Sequence, residues 1–344
     1  MPNLPLVSIV IANQDGCAYL ENCLRSLLAQ SYTKMEIIIV DNASRDRSVE
    51  IARAMAPQAV LLEQKQNLGF AGGANAGIRV SRGDWVAVLN NDTEVAMDWL
   101  LECVRAIQNY PDAGFLACRI LNFSNRRHIY SAGDCILRAG IGYRRGQDQQ
   151  DRAHYHEECE IFAASGCAAL YHRQALEELG GYDERFFAYL EDVDLGLRLR
   201  AAGYRGYYVP QAEVYHHGAA TSGGEFSPLA VRLRTRNSLF VLIKSIPASI
   251  LLRCLPMISL AQLWWLMRAA VHKRLPQYAR GVAEALRFAP AMLADRARLR
   301  PYWRKSRARL WQEILKSESL ARRDFAPAPE EPVSLFLKWY FRLF

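Results

Sequence analysis

The chain has 344 residues, of which 51% are hydrophobic, enough for the core of one large domain or of one domain with an appendage. The net charge of +8 is unevenly distributed: residues 226–344 hold 22 Lys and Arg against 7 Asp and Glu, and residues 1–225 hold 21 against 28. The eight cysteines contain no Cys-x-x-Cys pair and no Cys/His spacing typical of a zinc site. The composition therefore argues against a zinc-binding fold and predicts reduced thiols in a cytoplasmic protein.

The first 110 residues alternate between short apolar runs and helical repeats. A β-branched run at residues 6–12 predicts a strand buried on both faces, and it is too short for a signal peptide. Further strands are predicted at residues 36–40, 59–63 and 84–89, and helices at residues 19–28, 48–56, 71–80 and 99–110. Such βαβ units predict an α/β fold with a mostly parallel sheet and helices on both faces. Ligands of these sheets bind beyond the carboxyl ends of the strands, where Asp41 and Asp92 fall.

The middle of the chain is less regular. Residues 119–160 are rich in Arg, Gly and His, and we predict that they form a hairpin-and-loop insertion. The elements predicted after this insertion are short: helices at residues 173–179 and 193–202, each followed by glycine, and strands at residues 204–209 and 213–215.

The last third of the chain is basic and apolar, so we divide the chain into a domain of residues 1–226 and a helical region of residues 227–344. Residues 246–267 form a 22-residue apolar stretch with one charge, which is long enough to span a bilayer. Basic residues flank both of its ends, which contradicts the charge asymmetry of a single span. We therefore expect amphipathic or re-entrant helices on an anionic membrane surface, formed also by residues 278–286, 304–316 and 333–344. The alternative is an ordinary helical subdomain with a solvated basic face.

The turns that follow the predicted strands carry the polar residues that could do chemistry. No Gly-x-Gly-x-x-Gly motif or phosphate-binding loop follows the first strand, which argues against a dinucleotide oxidoreductase or an NTPase. The Gly-rich residues 67–75 could bring the backbone close to a nucleotide, or could simply form a tight turn before a helix. Asp92 is either a Mg²⁺ or Mn²⁺ ligand or a solvated turn residue. His216 or His217 could add a nitrogen ligand, the alternative being surface polarity.

An acidic cluster lies further along the chain, where Glu191, Asp192 and Asp194 occupy three of four positions. Carboxylates this close repel one another, so at least one should have a raised pKa or a cation beside it. The alternative is the acidic start of a helix, where negative charge is favourable. A metal-binding acid and a proton-accepting acid on separate strand ends would suit a group-transfer enzyme.

Five segments of the chain form an ordered set of motifs: Val40-Asp41-Asn42-Ala43-Ser44, Asn67 to Asn75, Leu89-Asn90-Asn91-Asp92-Thr93, Phe187 to Arg198 and Tyr215-His216-His217-Gly218. They occur in the order seen in family-2 glycosyltransferases, and they resemble most closely the bacterial rhamnosyltransferase branch that builds O-antigen and related cell-surface polysaccharides. The resemblance covers residues 5–240. It implies a GT-A fold and an inverting transfer from a nucleotide-diphosphate sugar.

Carried over by position, the resemblance implies roles for individual residues. Asp41 is expected to contact the pyrimidine base, Asp92 of the DXD-like motif to bind Mg²⁺ or Mn²⁺, and His216 to complete the metal site. Asp192 is expected to be the catalytic base, with Glu191 beside it. Five asparagines of the same motifs are expected to contact the donor: Asn42, Asn67, Asn75, Asn90 and Asn91. A full DXD motif has aspartate where this chain has Asn90, so one negative charge is missing from the expected metal site.

The sequence therefore predicts a membrane-associated inverting glycosyltransferase on the cytoplasmic face of the inner membrane. The expected donor is dTDP-rhamnose, and the expected acceptor is a polyprenyl-linked or polysaccharide glycan. The alternatives are a transferase of the same fold that uses a UDP-sugar (galactose, galactofuranose or N-acetylglucosamine) and a catalytically silent membrane scaffold. A nucleotidyltransferase lacks support because no early Gly-rich loop with Lys and Arg is present. Nucleic-acid binding is disfavoured because the basic charges are interleaved with membrane-length apolar runs.

Overall fold

The computed structural model describes residues 4–218, 224–325 and 335–344, and all of their side chains except those of residues 304–307. The strands are β1 (Val7–Asn13), β2 (Met35–Asp41), β3 (Val60–Glu63), β4 (Trp85–Asn90), β5 (Thr93–Val95), β6 (Ala113–Asn122), β7 (Ile129–Ser131), β8 (Asp134–Ile136), β9 (Gly142–Arg144), β10 (Cys159–Glu160), β11 (Ala168–His172) and β12 (Arg205–His216). The helices are α1 (Cys17–Leu28), α2 (Ser48–Met55), α3 (Gly69–Val80), α4 (Trp99–Asn109), α5 (Arg173–Leu179), α6 (Glu191–Ala202), α7 (Pro228–Lys244), α8 (Ala248–Arg253), α9 (Leu255–Val271), α10 (Leu275–Arg323) and α11 (Leu335–Leu343).

Most of these strands join one mixed sheet, in the order β10-β12-β6-β11-β4-β1-β2-β3, with β5 paired to β12 and β7 to β6. The strands β3, β2, β1 and β4 run parallel, as the βαβ spacing predicts, and β6 is parallel to β12. Strand β11 runs antiparallel between β4 and β6. The predicted parallel sheet is therefore present in the first half of the chain, and the second half adds the parallel pair β6–β12 together with antiparallel strands.

The second half also contains strands that the sequence analysis does not predict. Both β6 and β11 are central strands with buried side chains, and neither is among the predicted elements. The hairpin β8–β9 lies within the insertion predicted at residues 119–160. The strands predicted at residues 204–209 and 213–215 are a single strand, β12, with an irregularity between Val209 and Glu213.

The sheet separates two cores and brings the predicted site residues to one edge. On β1, Ile9 packs with α1, α2 and α4, whereas Val10 faces α3 and α5 on the opposite side, because successive strand residues point to opposite faces. The parallel register places Asn13 beside Asp41 and Ala12 beside Asn90. The polar residues at the ends of β1, β2 and β4 therefore meet at one edge, the edge at which the sequence predicts Asp41 and Asp92.

The C-terminal helical region packs onto the sheet domain. The apolar stretch at residues 246–267 is two helices, α8 and α9, with Pro256 in the first turn of α9, where proline is tolerated. Among the described residues, no helix is both long enough and apolar enough to cross a bilayer. The helices predicted at residues 278–286 and 304–316 are parts of α10, which packs along α7 and against α6. Residues 333 and 334 of the last predicted segment lie outside the described residues.

Candidate active site

The ends of the central strands carry a buried network of amide and carboxylate groups. Asn13 donates from Nδ2 to Asp41 Oδ1 at 3.2 Å and accepts at Oδ1 from Asn91 Nδ2 at 2.6 Å. Asp41 Oδ2 accepts from the Ser44 backbone N–H at 3.0 Å. All these carboxamide and carboxylate side chains are buried, so Asp41 and Asn91 are held in one orientation. Asn13 is not among the site residues predicted from the sequence, although its position at the end of β1 is a signal that could have identified it.

Asn42 and Asn67 hold the Gly-rich turn against these strand ends. Asn42 donates from Nδ2 to Gly69 O at 3.1 Å, and Asn67 Oδ1 accepts from the Gly69 backbone N–H at 2.7 Å. Gly69 has a φ of +72°, and a Cβ there would come within 2.4 Å of the Phe187 carbonyl oxygen, so the turn requires glycine. The buried Asn42 Oδ1 has no hydrogen-bond partner among the described residues. An acceptor left open in this way fits a contact to a bound ligand.

Asn75 makes its contacts elsewhere. Its Nδ2 donates to the Tyr182 carbonyl at 2.8 Å, and its Oδ1 accepts from the Tyr182 N–H at 3.0 Å. The same Nδ2 donates to Glu184 Oε1 at 3.1 Å. The structure therefore uses Asn75 to tie α3 to the turn after α5, and does not bring it into the network around Asn13. Donor binding by Asn75 stays a prediction.

Asp92 and His216 meet beyond the end of β4. Asp92 Oδ1 lies 3.0 Å from His216 Nε2, and both side chains are buried. The contact follows from the pairing of β12 with β5, which sets His216 opposite Thr93. The neighbouring His217 ring stacks on the Phe123 ring at a centroid distance of 3.7 Å. Of the two candidate histidines, it is therefore His216 that the fold brings to Asp92.

This pair fits a divalent cation but supplies only part of its coordination shell. A carboxylate oxygen and an imidazole nitrogen this close could both bind one cation, and an oxygen–nitrogen set suits Mn²⁺ better than Mg²⁺. Within the described parts of the chain, no group of three or more His, Cys, Asp or Glu side chains could hold a metal ion. Asn90 is half-buried where a full DXD motif has a second aspartate. A cation held by Asp92 and His216 would need further ligands from water or a bound diphosphate.

Asp192 lies in the first turn of α6 and is connected to the same strand end. Its Oδ2 accepts from the Gly166 backbone N–H at 3.1 Å, and its Oδ1 accepts from the next backbone N–H of α6 at 2.8 Å. The carbonyl of Cys167, the residue after Gly166, accepts from the Asn90 N–H at 2.9 Å. The segment Gly166-Cys167 therefore joins Asp192 to the strand end that precedes Asp92.

Three acids are crowded beside this turn: Glu191 and Asp192, for which the sequence predicts mutual repulsion, and Asp134, which the sequence does not predict here. Burial raises the pKa of Asp192, and burial together with the charge of Asp192 raises the pKa of Glu191 well above its usual range. Burial and the charge of Asp192 also raise the pKa of Asp134, from the hairpin β8–β9, to about 7. Glu191 Oε2 is buried and has no hydrogen-bond partner within the described structure. A carboxylate with a raised pKa is a stronger base than ordinary aspartate, so Asp192 suits general-base chemistry.

The hairpin β8–β9 also supplies a cation that the sequence analysis missed. Arg144 pairs in register with Asp134 across the hairpin, and its positive charge opposes the rise in pKa of both Asp134 and Asp192. Its guanidinium carbon lies 4.2 Å from the centre of the Tyr130 ring, which meets the His216 ring edge-on at 4.3 Å. Arg144 and Tyr130 therefore connect the acidic cluster to the candidate metal pair. Apart from the predicted insertion itself, no motif in the sequence marks them.

Asp194 is not the solvated acid that a simple helix start would have. Its carboxylate is fully buried and accepts from Arg198 Nε and Lys244 Nζ, both at 2.8 Å. Burial alone would raise the pKa of Asp194, but the charges of Lys244 and Arg198 hold it below its usual value. Asp194 therefore links α6 to α7.

The chain is similar to known glycosyltransferases. The family model described as Glycosyl transferase family 2 matches residues 8–180. The N-acetylglucosaminyl-diphospho-decaprenol L-rhamnosyltransferase of Mycobacterium tuberculosis is 30% identical over 241 residues, which make up 64% of this chain and 78% of that protein. The O-antigen biosynthesis protein RfbC of Myxococcus xanthus is 30% identical over 237 residues, 66% of this chain but only 18% of that longer protein.

A solved structure shares the architecture. A mannosyltransferase from Pyrobaculum calidifontis, solved in complex with GDP-Man and Mn²⁺, aligns with 94% of this chain and 87% of its own length, at a TM-score of 0.53 and 20% identity. At that identity the likeness concerns the fold alone. Together with the family match, it confirms the predicted GT-A type of sheet with helices on both faces.

Proposed function

Because the chain belongs to glycosyl transferase family 2, we propose that it transfers a sugar from a nucleotide-diphosphate donor to a hydroxyl group, with inversion at the anomeric carbon. One observation carries the proposal. The segment Gly166-Cys167 joins the half-buried carboxylate of Asp192 to the strand end that bears the Asp92–His216 pair. A proton acceptor and a candidate site for the diphosphate therefore share one edge of the sheet.

In the proposed step, Asp192 accepts the proton of the acceptor hydroxyl group while the hydroxyl oxygen attacks the anomeric carbon from the face opposite the leaving group. The new glycosidic C–O bond forms as the bond from the anomeric carbon to the diphosphate oxygen breaks. The electron pair leaves with the nucleoside diphosphate, so no covalent enzyme intermediate is needed. General-base assistance of this kind typically contributes about 10²–10⁴-fold to the rate.

The leaving group would bind on the other side of the site. We assign Asp92 and His216 to a divalent cation, which when bound would stabilise the developing negative charge on the diphosphate as a Lewis acid. Arg144 is placed to add positive charge on the same side. We assign Asp41, fixed by Asn13, to the nucleotide base, and its neighbours Asn42, Asn67, Asn90 and Asn91 to the rest of the donor.

For the substrates, we propose dTDP-rhamnose as donor and a polyprenyl-linked or polysaccharide glycan as acceptor. The support is the mycobacterial relative, whose name describes an L-rhamnosyltransferase for N-acetylglucosaminyl-diphospho-decaprenol. A UDP-sugar is the alternative donor.

We also propose that the C-terminal helical region holds the enzyme on the cytoplasmic face of the inner membrane. Helix α11 exposes Leu335, Trp339 and Leu343 at four-residue intervals along one face, each at least 60% exposed. Lys338 and Arg342 lie beside this apolar stripe in the sequence. A helix with exposed apolar residues and flanking basic residues is typical of a lipid interface, where anionic headgroups attract the cations.

A panel of nucleotide sugars, screened by thermal shift with and without Mn²⁺, tests the donor assignment. The true donor should raise the melting temperature, because a ligand that binds only the native state stabilises it. The same donor, incubated with enzyme and membranes, should release nucleoside diphosphate. If only a UDP-sugar raises the melting temperature, the donor is that UDP-sugar and not dTDP-rhamnose. Binding without release of nucleoside diphosphate would contradict transfer and favour a silent scaffold.

A further inference from the structure

The backbone that leads into α6 has an uncommon conformation. Phe187, Tyr189 and Leu190 have φ values of +65°, +71° and +67°, which residues with a Cβ rarely adopt. Phe187 is the centre of a tight γ-turn, in which the Ala188 N–H donates to the Phe186 carbonyl at 2.7 Å. Such conformations persist only where surrounding contacts impose them, and they cluster at functional sites. This one ends directly before Glu191 and Asp192.

Two side chains of α7 impose this path. Asn237 is fully buried, and its Nδ2 lies 3.0, 2.9 and 2.7 Å from the carbonyl oxygens of residues 186, 188 and 189, so its two hydrogens are shared among three acceptors. Arg236 donates from Nη2 to the carbonyls of residues 185 and 186, at 2.9 and 2.7 Å. The remaining carbonyl, that of Phe187, accepts from the Ala71 N–H at 3.1 Å. Every carbonyl from residue 185 to 189 is therefore bound, by α7 on one side and by the Gly-rich turn on the other.

The ends of the same segment are fixed by the last residue of α7. Lys244 Nζ donates to Asp183 Oδ2 at 2.7 Å and to Asp194 Oδ2 at 2.8 Å. Residues 183–194, which include the candidate base, are thus held by α7 at both ends and in the middle.

This arrangement gives α7 a part in the reaction. Leu190 is the N-cap of α6, and its carbonyl accepts from the Asp194 N–H at 3.0 Å, so the path of residues 186–190 sets the position of the first turn of α6. We propose that Asn237 is a positioning residue that aims the carboxylate of Asp192 at the acceptor hydroxyl group, an inference that rests on the proposed function. A displacement of a catalytic group by about 1 Å can cost about 10²-fold in rate.

Substitution of Asn237 in the full chain tests this inference. Asn237→Ala, which removes the three contacts, should lower kcat for nucleoside diphosphate release by about 10²-fold, while the Kd of dTDP or UDP with Mn²⁺ stays unchanged. Asn237→Ser keeps one donor and should fall between Asn237→Ala and the parent protein. Ser238→Ala is the matched control, because the Ser238 hydroxyl donates to the Thr235 carbonyl within α7, and it should keep the parent kcat.

A double-mutant cycle with Asp192→Asn separates positioning from a general loss of structure. If Asn237 acts through Asp192, the double variant Asp192→Asn, Asn237→Ala should turn over no more slowly than Asp192→Asn alone. Three results would overturn the positioning role and leave the proposed function intact: losses that multiply, a Kd for dTDP or UDP that rises as kcat falls, or failure of both Asn237 variants to fold. A parent protein that releases no nucleoside diphosphate from any donor would instead overturn the proposed function.

Discussion

The pKa of Asp192 depends on its burial and on groups that come from other elements of the fold. Burial in the first turn of α6 raises its pKa, while the Gly166 N–H from the turn before β11 and Arg144 from β9 act in the opposite direction. The result is a carboxylate that binds a proton more readily than an exposed aspartate does. That property favours proton transfer from an acceptor hydroxyl group, provided the carboxylate is ionised at the working pH.

The acid limb of the pH profile of the transfer rate should report the pKa of Asp192. Transfer should fall on acidification, because protonated Asp192 cannot accept a proton, and the limb should lie above the ordinary aspartate pKa of about 3.9 because the pKa of Asp192 is raised. Arg144→Gln removes a charge that lowers this pKa, so the limb should move to higher pH. The pKa of Asp134 is itself raised to about 7 by burial and by the charge of Asp192, so Asp134 is protonated through this limb, and Asp134→Asn should leave the limb in place. Profiles of kcat/KM in which Arg144→Gln leaves the limb in place, or moves it to lower pH, would contradict this placement of charges.

Removal of Asp92 should weaken donor binding when Mn²⁺ is present and leave donor binding unchanged when it is absent. Loss of a residue that only orients a metal ligand typically costs about 10–100-fold in metal affinity, so Asp92→Ala should raise the donor Kd in Mn²⁺ by at least about 10-fold. In the presence of a chelator, the variant and the parent should bind the donor equally. Asp98→Ala removes an exposed carboxylate and serves as the matched control. Calorimetry that finds the same Kd for Asp92→Ala and the parent in Mn²⁺ would exclude Asp92 as a ligand.

The sequence locates part of the candidate site for a clear physical reason. Asp41, Asp92 and His216 follow strand ends, and the carboxyl ends of parallel strands meet at one edge, so their proximity can be predicted. Asp134 and Arg144 belong to a hairpin in an irregular segment, and only the tertiary fold brings them beside Asp192. Their contribution could not be predicted from local pattern.

At the scale of elements, α6 is held in place by a buried ion cluster. Asp194 binds Arg198 within α6 and Lys244 of α7, and Lys244 also binds Asp183. Because these charges are buried, the loss of one partner leaves another uncompensated in a medium of low polarity. The cluster therefore makes the position of α6 depend on α7.

Lys244→Met tests that dependence. The variant should lower the free energy of unfolding by about 3–5 kcal/mol at neutral pH, the usual cost of breaking a buried pair. Lys316→Met removes a 67% exposed lysine paired to Glu313 and should cost less than about 1 kcal/mol. The folded-state pKa of Asp194 is lowered, so its contribution is present above the ordinary aspartate pKa and is lost as pH falls below it. Urea denaturation that finds equal losses for the two variants at pH 7 would contradict the cluster.

The elements themselves could be predicted wherever their pattern was local. The early strands and helices have apolar runs and repeats that agree with the structure to within a few residues. Strand β11 opens with Ala168-Ala169, and alanine favours helices, while its antiparallel place between β4 and β6 is a long-range pairing. Helix α10 continues through Pro290 and Pro301, which in isolation predict breaks. The continuous helix packs along α7, and this tertiary contact cannot be predicted from the local sequence.

At the scale of the whole molecule, charge and exposed apolar surface coincide in one region. The C-terminal third carries the positive charge, and many of the exposed large apolar side chains lie on its helices. Its α7 also contacts the backbone beside Asp192 through Arg236 and Asn237. The region proposed to bind membrane is therefore in direct contact with the candidate active site.

Vesicle binding should depend on α11. The chain should sediment with vesicles that contain anionic lipid more than with zwitterionic ones, and added salt should weaken that binding. Replacement of Leu335, Trp339 and Leu343 together by Ser should weaken it at least about 10-fold, since each large side chain contributes about 1.5–3 kcal/mol when fully buried. The matched control replaces three exposed apolar residues outside the region: Leu28, Val80 and Met97. Equal binding by the two triple variants would contradict a membrane role for α11.

The most direct test of the proposed mechanism is the turnover of Asp192→Asn. This variant keeps the size of the side chain and removes its ability to accept a proton, so release of nucleoside diphosphate in the presence of acceptor membranes should fall by about 10²–10⁴-fold, while the Kd of the donor with Mn²⁺ stays the same. Asp98→Asn, at an exposed position, should match the parent protein in both measurements. Near-normal turnover by Asp192→Asn would contradict the assignment of Asp192 as the base.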